Sequence, residues 1–244
     1  LAQKLGYAET PPDLDVEGHD TAHKCAIVAS LCYSTPVSLN DIYVEGITSI
    51  SRLDVAYARE IGYVIKLLAI IRRIDGEIEA RVHPTLVLES HLLASVRNEL
   101  NAVYVVSDCA GPTLYYGKGA GRMPTASAVV SDLVDIARID LSRPSPPFRY
   151  AHALPVRDIG LLQSRYYLRL TTEDHPGVLG RVCTALGHHG VSIASCIQKD
   201  TQAGEPVHVI MMTHDTVESA LAAAVSEINA MKFIAAPTRV IRIL

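Results

Sequence analysis

Residues 142–160 read SRPSPPFRYAHALPVRDIG, with four prolines in the first fourteen positions. Proline fixes φ and has no backbone donor, so this run can continue neither a helix nor a central strand. It favours an extended spacer and divides the 244 residues into two parts of different pattern. The part after it holds six short elements in the order strand, helix, strand, strand, helix, strand: YYLRLTT, VLGRVCTALGHHG, ASCIQK, VHVIMMT, ESALAAAVSEINAM and RVIRIL. The spacing predicts two domains, residues 1–141 and 165–244, joined by a linker over 142–164.

In the first part, turn signals at Thr10-Pro11-Pro12 and Gly18 precede a helix reaching about residue 33, with Asp20 at the expected N-cap. A second helix is predicted over 52–61, stopped by Gly62. From Tyr63 the pattern turns to β. Runs separated by Asp75-Gly76, by a helix-like stretch at 90–98 and by Gly111-Pro112 predict a mainly antiparallel sheet. A helix over 125–137 carries Ala126, Val129, Val130, Leu133, Val134 and Ala137 in a stripe expected to face a sheet. The fold class is α+β.

Composition excludes some partners. The chain is 49% hydrophobic and 20% charged, a core-forming balance. Its net charge is −4 with no basic block, which argues against nucleic acid. The apolar run at 65–71 is interrupted by Lys66 and ends at Arg72-Arg73, far short of a membrane span. Five cysteines form no CxxC pair, so a reduced, cytoplasmic protein is the natural reading. Cys25 and Cys32, seven apart on one helix face, are both expected in the core. The opening LAQKLGYAE lacks both Met and signal-peptide character, and suggests a fragment of a longer chain.

Three segments carry candidate chemistry. In GYAETPPDLDVEGHDTAHK, at 6–24, Glu9, Asp13, Asp15, Glu17 and Asp20 crowd ahead of Lys24. If Asp20 caps the helix, Lys24 stands one turn above it on the same face. A lysine so supported stays protonated and can deliver a proton or stabilise a developing alkoxide. Glu9 and Asp15 could hold a substrate ammonium. The same spacing equally allows an exposed ion pair worth about 0.2–0.5 kcal/mol.

The second segment, GKGAG at 117–121, invites a dinucleotide reading, but Arg122 falls where the third fingerprint glycine belongs. Glycine backbone there can still approach a ligand closely. In the third, a strand stops at Asp174-His175-Pro176-Gly177 and a helix begins at once. Its first amides suit a carboxylate ligand, although an ordinary strand-to-helix turn looks the same. His188-His189 are adjacent on that helix and point to different faces, so they read as solvated surface, and no metal site is expected.

DHPGVLGRV followed by GVSI resembles the ACT domain, a ferredoxin-like βαββαβ module that binds small effectors, usually amino acids, where two modules meet. The resemblance places effector contacts on Asp174, Pro176, Gly177, Val178 and Leu179. From a neighbouring copy it adds Gly190, Ser192 and Ile193. In the first part, KLGYAETPPDLDVEGHDTAHKCAI, DIYVEGITSI, IKLLAI, RVHPTLV and YYGKGAGRMPTASAVVSDLVDIAR together resemble the catalytic half of homoserine dehydrogenase. That family reduces aspartate 4-semialdehyde to homoserine, reversibly, with NADP or NAD.

The resemblance implies that Lys24 transfers the proton, that Glu9 and Asp20 bind substrate with Asp15 a lesser member, and that Asp20 also positions the lysine. Gly6, Gly119 and Gly121 would lie near the cofactor. The family's Rossmann domain, with its fingerprint, second catalytic lysine and monovalent-cation site, has no counterpart in residues 1–244. The cofactor would therefore be held mainly outside them. Threonine is the implied effector, and a homodimer or homotetramer the implied assembly. A non-catalytic amino-acid-sensing or dimerisation fragment, or another ACT-linked amino-acid enzyme, are the other readings open to the sequence.

Overall fold

The computed structural model describes residues 13–98, 100–139, 149–198 and 206–244. Helices α1 (Asp13–Val16) and α2 (His19–Tyr33) are followed by the short strand β1 (Tyr43–Val44) and helix α3 (Arg52–Glu60). A capping box starts α3: the Ser51 hydroxyl accepts from the Asp54 amide while the Asp54 carboxylate accepts from the Ser51 amide. Strands β2 (Tyr63–Ile74) and β3 (Glu77–Leu88) then form a long antiparallel hairpin. Asp75 and Gly76 turn it with φ of 50° and 86°, the positive values that a two-residue connection of matching twist requires.

Strands β4 (Leu100–Ser107) and β5 (Gly111–Lys118) make a separate two-stranded sheet that leads into α4 (Arg122–Arg138). The helix-like stretch at 90–98 is reduced to one 3-10 turn, Leu92–Ser95.

Beyond the proline-rich run come β6 (Gln163–Thr172), α5 (Val178–His188), β7 (Ile193–Gln198), β8 (Val207–Thr213), the short β9 (Thr216–Val217), α6 (Glu218–Asn229) and β10 (Ile234–Ile243). Four of these strands are ordered β10-β6-β8-β7, every neighbouring pair antiparallel. This is the ferredoxin-like arrangement expected. The period of two sorts the side chains of β6. Tyr166, Leu168 and Leu170 enter a core with Val182, Leu186, Leu221 and Ile228 of α5 and α6. Tyr167 points the other way, into a cluster with Ala58 of α3 and Leu86 of β3. A third cluster seats Ala22, Cys25, Ala26 and Ala29 of α2 on Ile78, Ala80 and Val82 of β3.

The two parts of the chain share one sheet. β10 lies parallel to β3, with Arg242 opposite Thr85 and Ile243 opposite Leu86, so that eight strands are continuous. The described end of the linker also lies along β3. The Ile78 amide donates to the Pro155 carbonyl at 2.9 Å, and the Arg157 amide to the Ile78 carbonyl at 2.8 Å. Backbone groups at the start of β3 thereby find partners, as buried amides must. This stretch is therefore bound to the first part and is not a free spacer.

Two expectations are corrected. Cys25 is buried, and burial pushes its thiol up to about 11, but Cys32 is exposed, the last turn of α2 turning Tyr33 and not Cys32 toward the core. Among the described residues, the stripe of α4 faces no sheet either. Val129, Val130, Leu133 and Val134 are 41–60% exposed, and the helix buries none of its residues. The hairpin before it is itself only one layer, with Val103, Val106, Tyr115 and Tyr116 exposed. Among the described residues, no helix is long and apolar enough to cross a membrane.

Candidate active site

Asp20 is not the N-cap of α2. Gly18 occupies that position with φ 82° and ψ 8°, because the chain arrives from α1 already coiled. The Ala22 amide donates to the Gly18 carbonyl at 2.9 Å, closing the first helical turn. Asp20 is thus inside the helix, and its carboxylate is directed along the surface. Lys24 Nζ donates to Asp20 Oδ2 at 2.7 Å, the predicted one-turn pair.

The pair lies on the open face, with side-chain exposures of 64% for Lys24 and 46% for Asp20. Lys24 is therefore an exposed cation and not a buried one. Ile27 and Leu31, one and two turns beyond Lys24, are 60% and 55% exposed. The face carrying the lysine is therefore partly apolar, unlike an ordinary solvated helix surface.

Asp15 lies in α1, exposed, in the turn that leads to this pair. Glu9 and Gly6 lie outside the described residues. Gly119 and Gly121 lie at the end of β5 and the start of α4, on the hairpin–helix unit. Gly121 has φ 118°, which only glycine adopts readily, and no side chain caps α4. An exposed glycine backbone leading into a helix start fits the border of a dinucleotide, without the spacing needed to cradle its pyrophosphate.

Asp174, Pro176 and Gly177 form an exposed turn, from which Val178 enters the core and Leu179 packs partly against it. The Arg181 amide donates to the Gly177 carbonyl at 3.1 Å, fixing the start of α5. Gly190, Ser192 and Ile193 lie beyond the other end of this 11-residue helix, about 16 Å along its axis. One chain therefore does not bring the two halves of the expected effector site together. His189 Nε2 lies 2.9 Å from Glu227 Oε2, tying α5 to α6. Among the described residues, no cluster of His, Cys, Asp and Glu could hold a metal.

A buried polar seam escaped the sequence reading. Glu79, Arg81, His83 and Thr85 alternate along one face of β3 and would ordinarily read as a solvent face, yet all four are buried. Arg81 pairs with Glu79, and its Nε donates to His83 Nε2 at 3.0 Å. Burial, with the Arg242 and Arg81 charges nearby, holds His83 down to about 3, so its imidazole is neutral.

Arg242 of β10 continues the seam. It donates to Glu45 at 2.7 Å, to the Tyr43 hydroxyl at 3.2 Å, and to both Glu218 oxygens at 2.9 and 2.5 Å. Burial opposes its charge, but the Glu218 and Glu45 carboxylates outweigh that and push its pKa up. A second bridge, Arg169 to Asp54 at 2.6 and 3.2 Å, joins β6 to α3. The signal missed was an arginine within each of β6 and β10, Arg169 and Arg242, that reaches back to a carboxylate of the first part.

Comparison with known proteins agrees with this organisation. A family model described as homoserine dehydrogenase matches residues 1–134, and one described as ACT domain matches residues 166–233. The homoserine dehydrogenase of Neisseria gonorrhoeae is 43% identical over 251 residues, covering 99% of this chain and 57% of that protein. That of Pseudomonas aeruginosa is 42% identical over 252 residues, covering 99% of this chain and 58% of that protein. A solved homoserine dehydrogenase from Thiobacillus denitrificans superposes with a TM-score of 0.91 at 42% identity, over 100% of this chain and 57% of that one. The chain thus spans a little over half the length of the relatives it matches. With a family model matching more than half of its residues and these likenesses over nearly its whole length, the chain belongs to the homoserine dehydrogenase family.

Proposed function

We propose that the chain forms the substrate-binding and regulatory portion of an NAD(P)-dependent homoserine dehydrogenase. The enzyme would interconvert L-aspartate 4-semialdehyde and L-homoserine in threonine, methionine and isoleucine biosynthesis. The domain boundaries that serve this reading are 1–141 for the substrate-binding domain and 165–244 for the effector domain. The observation that carries it is the 2.7 Å Lys24–Asp20 contact on the open face of α2.

A dinucleotide, when bound, supplies or accepts the hydride, and Gly6, Gly119 and Gly121 would border it. Lys24 donates its Nζ proton to the aldehyde oxygen as alkoxide character develops there, and takes the proton back in the oxidation direction. Asp20 holds the ammonium oriented along the helix, and Glu9 with Asp15 binds the substrate amino group. The open face leaves both members of the pair accessible to substrate. A homodimer or homotetramer in the cytoplasm, with threonine bound across two copies at the Asp174–Leu179 loop and the Ser192–Ile193 turn, completes the reading.

The test is NAD(P)H oxidation with aspartate semialdehyde by the natural protein and its Lys24→Ala variant. Activity that survives the substitution removes Lys24 from the chemistry. For the effector, millimolar threonine should raise the melting temperature of the chain. An unchanged transition would exclude it as the ligand of this module.

A further inference from the structure

Arg242 stands where the two parts of the chain meet, and its partners come from both. Glu218 begins α6, whereas Tyr43 and Glu45 belong to β1 and the residue following it. The Tyr43 hydroxyl donates to Glu45 at 3.1 Å, and the guanidinium stacks over the Tyr43 ring at 4.9 Å. The short strap from Tyr43 to Ile47 is therefore clasped at its start.

The other end of the strap holds the junction between α1 and α2. The Glu45 amide donates to the Val82 carbonyl at 2.8 Å, and the Ile47 amide to the Val16 carbonyl at 2.7 Å. Gly46 lies so close to that junction that a Cβ would collide with the Val16 carbonyl and the Glu17 backbone. Gly18, the N-cap of α2, sits against the Val44 and Val82 side chains. A shift of the strap must displace the first turn of α2, which carries Asp20, with Lys24 one turn on. Arg169–Asp54, the other bridge between the two parts among the described residues, reaches α3 and not this strap.

We propose that Arg242 is a positioning residue. Through Glu45 and the Tyr43–Ile47 strap, it ties the last strand of the effector module to the N-terminal turn of α2. The geometry makes this a route by which a change in the position of β10 or α6 reaches the lysine. Its meaning for turnover rests on the assignment of Asp20 and Lys24 above; its test does not.

The test is amide hydrogen exchange in the 244-residue chain, comparing wild type with Arg242→Gln, Glu45→Gln and Arg169→Gln. Arg242→Gln is expected to speed exchange at Ile47 and Ala22 at least tenfold more than at the Leu168 and Leu170 amides of β6, which report the global stability. Glu45→Gln, which leaves the Arg242–Glu218 contact in place, should act in the same direction and stands in if Arg242→Gln does not fold. Arg169→Gln should leave Ile47 and Ala22 within twofold. Uniform acceleration along the chain would make Arg242 a general stabiliser and overturn the proposal. Unchanged Ile47 and Ala22, or an equal effect from Arg169→Gln, would overturn it as well. If instead Lys24→Ala retains turnover, the functional reading fails while the exchange result stands.

Discussion

Two carboxylate–cation contacts of this molecule have the same length, 2.7 Å, and opposite surroundings. Lys24–Asp20 lies on an open helix face, whereas Arg242–Glu45 is enclosed where the two parts of the chain share a sheet, with the guanidinium side chain 6% exposed. Water screens the first pair, so it adds little to stability and leaves both groups available to a ligand. The second is removed from water, and its arginine is satisfied by two carboxylates and a phenol. Removing one partner there leaves uncompensated buried charge. On the role proposed above for Lys24, equal geometry would serve chemistry in one place and architecture in the other, with the surrounding dielectric deciding which.

The largest expected effect belongs to the open pair. Lys24→Ala should lower kcat of the natural protein by about 10²–10⁴-fold, the usual worth of a positioned proton donor. In steady-state assays this would leave the cofactor KM nearly unchanged. Arg242→Gln should invert the profile. Urea unfolding should show a loss of about 3–5 kcal/mol, because Glu218 and Glu45 lose their shared counter-charge. A loss under 1 kcal/mol would mean the seam contributes little, and the contrast would collapse.

The seam also predicts acid sensitivity. His83 titrates near 6.5 when unfolded and about 3 when folded, so between those values the unfolded chain binds the extra proton. Stability from this group is complete above pH 6.5 and is lost as pH falls toward 3, by about 1.4 kcal/mol per pH unit. Unfolding measured at pH 6 and pH 5 should show a slope that His83→Gln reduces by roughly this amount. Equal slopes would show that the histidine is not held neutral. The smallest effect returns to the surface: Lys24→Ala should change stability by no more than about 0.5 kcal/mol. A larger change would mean the lysine is partly structural.

Legibility followed locality. The Asp75-Gly76 turn, the stop at Gly62 and the βαββαβ order of the second part are read directly from sequence, since each depends on neighbouring residues and period. The Lys24–Asp20 pair was legible for the same reason: four residues on a helix are one turn. The capping role of Asp20 was misread because α1 precedes it and delivers Gly18 to the N-cap. The stripe of α4 has helical period, but among the described residues no sheet covers it, and period cannot name a partner.

What the sequence determined by itself is therefore the elements, their order, and the local pairing of acid with lysine. Only the tertiary structure decided that β10 would lie beside β3, where the register partners Arg242 and Thr85 stand 157 residues apart in the chain. The same pairing decides that an alternating polar face on β3 is buried, since covering it takes Tyr43, Arg242 and Glu218 from three separate segments. Burial and long-range pairing are properties of the assembled sheet. A charged residue in a β run reads the same whether it meets water or another charge.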